Sequence, residues 1–339
     1  MTQFILRPQR FQNRVTAGRF TLPVAILLSV ACWILSAILL PDLDVQKDNY
    51  PLWNTFCNSC IPAWGNRLSS FILYSVIGYF LIGLNNAFAI IRMRASVQTG
   101  IYFLLISVCP SLHVLYAGDL AAIAFLIALF FLFKSYQHPK PAGYLFHTFT
   151  FIGTGSLLFP QLTYFAPIFW IGAYNFQSLH TKSFFASLVG WSLPYWFLLG
   201  YAYTSGQMDL FYRPFLELVN FRSIRFGFRP WELATIGYIL LLYIVSSSHC
   251  LIAGYEDKIR TRSYLHFLIF LNFCIFVYIG LQPALYPHLF SLLLIGTSIL
   301  IGHLFVLTNS RSSNLFFIIM LVGLFTLFGF NLWTLLQTH

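Results

Sequence analysis

Long apolar segments separated by short polar breaks run through the whole chain. A helix needs about 20 mostly apolar residues to cross a bilayer, and the pattern supplies about eleven such segments. It therefore predicts an all-α polytopic membrane protein with about eleven transmembrane helices and no soluble domain. The predicted spans are residues 21–40, 68–91, 98–116, 120–134, 143–160, 162–178, 184–204, 231–254, 263–281, 288–308 and 314–336.

Two of the prolines affect the number of predicted crossings. Pro110 lies inside the predicted span 98–116, and Phe159-Pro160 divides residues 143–178 into two short segments. Because proline ends or kinks a helix, residues 143–178 are predicted to form a short hairpin that either crosses the membrane twice or is re-entrant. Loops after residue 178 stay on the same side of the membrane in both cases. If residues 98–116 did not cross the membrane, every later loop would lie on the opposite side.

Composition places the chain in the same class. The 339 residues are 58% hydrophobic and only 8% charged, with a mean hydropathy of +0.76, whereas about a quarter of the residues in soluble domains are charged. The net charge of +10 is explained by membrane topology and anionic lipid. It does not indicate nucleic-acid binding, which needs a basic surface on a soluble face.

The charges predict the orientation of the spans. Residues 1–20 contain four arginines and no acid, so the positive-inside rule predicts a cytoplasmic N-terminus. The next apolar run lacks a small-residue cleavage site, so we interpret it as a retained span and residues 21–336 as one integral membrane domain. The main outer loops are then 41–67 and 205–230. With this layout the predicted inner segments hold 13 of the 19 basic residues: Arg7, Arg10, Arg14, Arg19, Arg92, Arg94, Lys134, Lys140, Lys182, Lys258, Arg260, Arg262 and Arg311.

The reactive side chains form no strong motif. Cys57 and Cys60 form a CxxC in the first outer loop, which is compatible with a disulfide, a redox pair or two separate thiols. The nine histidines are scattered without an HExxH or another pair at helical spacing, so we predict no metal and no cofactor. Small residues allow close helix packing in membranes, and we interpret Gly153, Gly155, Gly190 and Gly200 in that way.

Residues 110–113, with the sequence PSLH, are similar to the P-S-x-H element of membrane lipid-phosphate phosphatases. A basic element that ends in Arg229-Pro230 follows it along the chain. In that family the basic element comes first, and a further histidine with a downstream aspartate completes the site. The order here is reversed and that last pair is missing, so we interpret the similarity as coincidence.

Ionisable side chains concentrate in the predicted outer segments. Seven of the nine acids lie there, with Asp42, Asp44 and Asp48 just beyond the first span and Asp119 at the start of the fourth. The second main loop alternates aromatic and basic residues, which is typical of a segment in the headgroup plane. Its arginines either reach anionic lipid or hold a phosphate. They are Arg213, Arg222, Arg225 and Arg229.

Two features of the chain resemble integral-membrane glycosyltransferases of the GT-C type, which use a polyprenyl-phosphate-linked sugar. They are these acids and the succession of an apolar run, a basic break and the sequence Gly-Ser-Leu-Leu-Phe-Pro. The resemblance implies that Asp44 or Asp48 is the general base and Asp119 a second acid of the site. It also implies that Arg222, Arg225 and Arg229 bind the lipid phosphate. The chain departs from the GT-C pattern because it has no clear acidic pair at the end of the first span.

Residues of about 70–205 also resemble an uncharacterised multi-span family of Bacteroidota, through NNAFAIIRMRAS at 85–96 and KSFFASLVGWSLPYWFLLGYAY at 182–203. That resemblance implies a bacterial inner-membrane protein and no particular activity. Membrane lipids and other membrane proteins are its expected partners. Two further hypotheses remain: a non-catalytic subunit or scaffold of an envelope or polysaccharide assembly machine, and a transporter. The transporter is less favoured because no span has an acid or lysine near its middle.

Overall fold

The fold is a bundle of α-helices, seen in a computed structural model of the chain. The structure describes residues 11–16, 18–40, 50, 52–54, 62–91, 96–219 and 227–338. The helices are α1 Phe11–Thr16, α2 Thr21–Leu39, α3 Ala63–Phe88, α4 Val97–Ser107, α5 Ala117–Lys134, α6 Ala142–Leu158, α7 Ala166–Asn175, α8 Thr181–Thr204, α9 Asp209–Val219, α10 Pro230–Ile252, α11 Ile259–Leu281, α12 Tyr286–Leu307 and α13 Arg311–Thr338.

Eight helices in the described part of the chain are long and apolar enough to cross a bilayer: α2, α3, α5, α8, α10, α11, α12 and α13. The predicted class, an all-α polytopic membrane protein, is thereby confirmed. The other three predicted spans correspond to the shorter helices α4, α6 and α7. They are short because 3-10 turns begin at the two prolines singled out above, Pro110 and Pro160.

Helix α12 forms the centre of the bundle. Within Pro283–Leu307, which contains α12, 94% of the most apolar 18-residue stretch is buried. The corresponding stretches of α2 and α13 are 22% and 28% buried. Helices α4, α5, α10 and α11 surround it. Helices α2 and α13 therefore expose most of their apolar surface, as expected for helices that face lipid.

We call the end of the bundle that carries α1 the proximal end. Gln12 of α1 donates to the carbonyl oxygens of Phe305 and Thr308 at 2.7 and 3.0 Å, so the end of α12 lies here. At the same end Phe133 stacks on Tyr264, and Phe88 packs edge-on against both rings. Asp257 bonds to His303 there. The turns after α3, α5, α7, α10 and α12 thus gather on one side.

The opposite, distal end holds the other connections. Leu40, Trp231 and Leu335 form a small apolar cluster there, and the Tyr50 hydroxyl donates to Gln161 Oε1 at 3.0 Å. Gln161 lies in the turn between α6 and α7, and the ring of Phe159 beside it stacks on His288 near the start of α12. The α6–α7 hairpin therefore extends from the proximal end to the level at which α12 begins.

Helices α6 and α8 cross at two glycines. A Cβ on Gly153 would collide with the Trp191 carbonyl oxygen, and one on Gly190 would collide with that of Phe146. Gly155 likewise faces Leu162 closely. The predicted packing role is confirmed for these three glycines. It is wrong for Gly200, where an added Cβ would meet no atom within 4 Å because that side of α8 faces outward.

Candidate functional site

Non-helical backbone enters the distal end of the bundle between α4 and α5. Pro110–Leu112 forms a 3-10 turn, and the Leu115 N–H donates to Asn66 Oδ1 of α3 at 3.0 Å. In a membrane protein, irregular backbone is tolerated only where protein groups or water satisfy its polar atoms. The connection is largely buried and meets this requirement through its neighbours in the bundle.

Asp119 lies in the first turn of α5 and is fully buried. Its Oδ1 accepts hydrogen bonds from the Tyr74 hydroxyl at 2.8 Å and from the Ser291 hydroxyl. Its Oδ2 accepts the Tyr116 backbone N–H at 2.9 Å, which caps the start of α5. Three helices, α3, α5 and α12, are therefore joined through one carboxyl group. An acid buried in a membrane bundle is a functional-site candidate because its retention is costly.

An imidazole lies beside this carboxyl group. His288 Nδ1 accepts the Gly118 backbone N–H at 3.3 Å, and its ring packs edge-on against Tyr50 and Tyr116, with centroids 5.6 and 5.5 Å away. The first turn of α5 comes so close to α12 here that a Cβ on Gly118 would overlap the His288 backbone. An imidazole ring and a carboxyl group are thus held close together at the distal end.

A buried arginine closes the same region. Arg67 of α3 donates through Nη1 to the Ser36 carbonyl oxygen at 3.1 Å and through Nη2 to that of Leu40. It thus satisfies carbonyl groups at the end of α2, where the helix dipole favours a cation. His113 lies nearby: its Nδ1 is 2.7 Å from Ser36 Oγ, and its ring stacks on Trp33 at 3.6 Å between centroids.

Hydrogen bonds connect this region to α10. Asn331 Nδ2 of α13 donates to the Val108 carbonyl oxygen at 2.8 Å and to Thr235 Oγ1 at 2.9 Å. Thr235 lies one turn beyond Trp231, over whose ring the Arg229 guanidinium packs at 5.0 Å. The start of α10 is therefore fixed to the α4–α5 connection.

Two of the six predicted site residues lie in the described part of the chain. Asp119 is buried, so it is not a solvated boundary residue, and Arg229 is exposed at the start of α10. The Arg229 backbone N–H donates to Glu232 Oε2 at 2.9 Å. Asp119 and Arg229 share no hydrogen bond. Asn331 connects α10, which Arg229 precedes, to Val108 in the connection that leads to the helix of Asp119. The other predictions fall outside the described residues: Asp44, Asp48, Arg222 and Arg225, and also the CxxC pair Cys57 and Cys60.

The sequence singled out only part of this cluster. The sequence did not reveal Arg67, Tyr74, His288 and Ser291 because their partners lie at least 27 positions away in the chain, and no local spacing reports such contacts. The PSLH residues form the buried turn described above. His113 contacts Ser36 through Nδ1 and stacks on Trp33, while its buried Nε2 has no hydrogen-bond partner among the described residues. The interpretation of this motif as coincidence stays a prediction.

The fold and the site together define an integral membrane protein of many α-helices, with a buried cluster of polar and ionisable side chains at its distal end. Comparisons of the chain with known protein families, curated proteins and solved structures give no match.

Proposed function

We propose that this protein is a GT-C-like glycosyltransferase of a bacterial inner membrane. It transfers a sugar from a polyprenyl-phosphate-linked donor at the distal end of the bundle, which faces the outside, while the N-terminus is cytoplasmic. Asp44 or Asp48 is the base and Asp119 supports the site. Arg222, Arg225 and Arg229 bind the lipid phosphate.

One observation carries this proposal. The two segments that hold the candidate acids and arginines are joined to the described structure at the same place, since Leu40 and Trp231 belong to one distal cluster. The first segment ends at Tyr50, which contacts Gln161 and His288. Asp119 and His288 lie in the same region. The distal end thus joins the acid-bearing and arginine-bearing segments to a buried polar cluster.

The residues suit the chemistry of glycosyl transfer. A carboxylate removes the proton of the acceptor hydroxyl as the sugar carbon develops positive charge. The phosphate leaving group gains negative charge, which arginines stabilise by paired hydrogen bonds. Exposed Arg229, at the start of an apolar helix, lies where a lipid headgroup is expected.

The carboxylates are tested by substitution in a deletion strain. Asp44→Asn or Asp48→Asn should abolish complementation and cause a lipid-linked saccharide to accumulate, with membrane abundance unchanged. Asp42→Asn in the same segment is the matched control and should complement fully. An unchanged lipid pool in the deletion strain would rule out the glycosyltransferase.

The arginines are tested by changing their geometry without changing their charge. Lysine keeps the cation but loses the paired donors, so Arg222→Lys, Arg225→Lys and Arg229→Lys should lower activity, whereas Arg213→Lys on α9 should not. If all four variants retained wild-type turnover of the lipid-linked donor in vesicles, the arginines would not bind its phosphate.

A non-catalytic membrane subunit is the second candidate, and the geometry of Asp119 favours it. Both carboxylate oxygens accept hydrogen bonds from the protein. The role of Asp119 in joining three helices is therefore enough to explain its presence in the bundle. In that case Asp119→Asn should reduce function only as far as it reduces membrane abundance. If function fell well below abundance, the group would act in the site itself.

A further inference from the structure

A second group of reactive side chains lies at the proximal end, away from the cluster around Asp119. His249 and Cys250 lie in the last turn of α10, and His303 lies in the last two turns of α12. One ligand atom of each residue lies within 4.8 Å of the corresponding atom of the others. Cys250 Sγ is 3.4 Å from His303 Nδ1, although the two residues are 53 positions apart in the chain. No sequence motif therefore reveals this group.

Asp257 sets the orientation of the His303 ring. Its Oδ2 is 3.0 Å from His303 Nε2, and both side chains are buried. A proton held between Nε2 and the carboxylate leaves the Nδ1 lone pair directed at Cys250. Metal-binding histidines characteristically donate their other ring N–H to a carboxylate, which fixes the ring and raises its basicity. This contact is a second observation, independent of the cluster itself, that points to a metal ligand.

We propose that His249, Cys250 and His303 bind a zinc-class divalent ion. Zn–S and Zn–N bonds of about 2.3 and 2.0 Å in tetrahedral geometry separate the two ligand atoms by about 3.5 Å, close to the separation of Cys250 Sγ and His303 Nδ1. Two imidazoles and one thiolate form a ligand set that zinc prefers. The thiol loses its proton to solvent on binding, so the ion replaces a proton at Cys250.

The electrostatic setting also favours a cation. Helices α10 and α12 both end at this cluster, at Ile252 and Leu307, and the C-terminal ends of helices carry partial negative charge. A carboxylate and a thiolate together balance the two charges of the ion. His249 is only half-buried, so an ion reaches the cluster from the proximal surface past this ring.

A Cys–His–Asp nucleophile is the alternative chemistry of the same atoms. Cys250 is 1% exposed and His303 is fully buried. A covalent substrate would need room at the sulfur, whereas an ion only has to pass between the ligands. The burial therefore favours the metal site over an acyl-transfer site.

The experiment measures zinc bound to the full-length protein purified in detergent, after saturation with zinc and gel filtration. The wild type should retain one equivalent, and Cys250→Ser and His303→Asn should retain less than a tenth of that amount. Cys274→Ser and His266→Asn, both on α11, are the matched controls and should bind as the wild type does. Substitution by cobalt should give a thiolate-to-cobalt absorption band that Cys250→Ser lacks.

Asp257→Asn keeps all three ligands and therefore separates metal binding from misfolding. Its zinc dissociation constant should rise about 10- to 100-fold, with the stoichiometry still one. A wild type that retains no zinc and shows no cobalt band would overturn the proposal. So would a Cys250→Ser variant with wild-type affinity, or a Cys250 thiol that an acyl-transfer probe modifies while zinc leaves the rate unchanged.

Discussion

Gly118 marks the closest approach of two helices in the distal cluster. Its backbone N–H donates to His288, and its missing side chain lets the first turn of α5 lie against the backbone of α12. Asp119, the residue after Gly118, then accepts a hydrogen bond from the hydroxyl of Ser291 on α12. Glycine is needed here because any Cβ would occupy the space of the His288 backbone, and a backbone cannot move aside as a flexible side chain can.

Gly118→Ala should therefore destabilise the protein. Forcing extra atoms into a packed interior typically costs about 1–3 kcal/mol, and displacing α5 would also weaken the hydrogen bonds of Asp119. Thermal unfolding of the detergent-solubilised protein should show a clear loss of stability.

Gly237→Ala in α10 is the control for this change. Nothing lies within 4 Å of its Cβ position, and alanine is a better helix former than glycine by about 1 kcal/mol. This variant should be as stable as the wild type or more so. Equal unfolding temperatures for the Gly118→Ala protein and the wild type would show that α5 and α12 are not packed as described.

Individual residues also show which parts of a site can be recognised from the sequence. Asp119 was recognisable because an acid at the start of an apolar run is rare in itself. Its partner Tyr74 is one of 19 tyrosines, and Ser291 lies 172 positions away. The same limit applies to Cys250 and His303, since scattered histidines give no pattern until α10 and α12 are placed side by side. Single unusual residues can be found from sequence; partners on distant helices cannot.

At the scale of elements, the breaks in the hydrophobic pattern were predictable and the lengths of the helices were not. The prolines at 110 and 160 begin 3-10 turns, because proline lacks the donor that a continuing helix needs. The sequence does not show that α4 would end at Ser107 and leave a buried connection. That outcome depends on donors and acceptors from other helices, such as Asn66 and Asn331.

Helix α9 is predicted to lie in the membrane interface. Tyr212, Leu216 and Val219 are exposed and recur at helical spacing, whereas Phe215 on another side packs on Tyr195 of α8. An apolar face beside polar Asp209 and Arg213 is typical of a helix in the membrane interface. An environment-sensitive fluorescent amino acid at position 216 in vesicles should therefore emit at shorter wavelength than one at position 213.

Position 213 is the matched control because it lies on the same helix, less than one turn away. Brominated lipids should quench the probe at 216 most strongly when bromine lies near the headgroups. Equal emission at both positions would mean that α9 lies in water, and strongest quenching by bromine at the acyl-chain ends would place it too deep for an interfacial helix.

At the scale of the whole molecule, the apolar pattern predicted the class because a bilayer restricts the backbone to few solutions. The arrangement around α12 was not predictable. The exposed helices α2 and α13 are at least as apolar as the central helix α12, so hydropathy does not distinguish a central helix from one that faces lipid. Gln12, for example, contacts the end of α12, almost 300 positions away in the chain. The same end of the bundle therefore holds α1 and the turn after α12.

The grouping of connections at two ends makes the topology testable. The proximal end carries α1, the turn around Tyr136 and the turn after α12, and α13 then runs to the distal end. Basic residues concentrate in the proximal segments, so the positive-inside rule predicts that this end lies in the cytoplasm. Alkaline phosphatase fused after Gln337 should be active and green fluorescent protein should not fluoresce there, while fusions after Tyr136 should behave in the opposite way. An odd number of crossings separates these sites, because α6, α7, α8, α10, α11, α12 and α13 lie between them. Equal behaviour would therefore show that one of these elements, such as the short helix α6 or α7, does not reach the opposite end. Reversed behaviour would keep the fold but place the Asp119 cluster in the cytoplasm, which would exclude a transferase acting at the outer face.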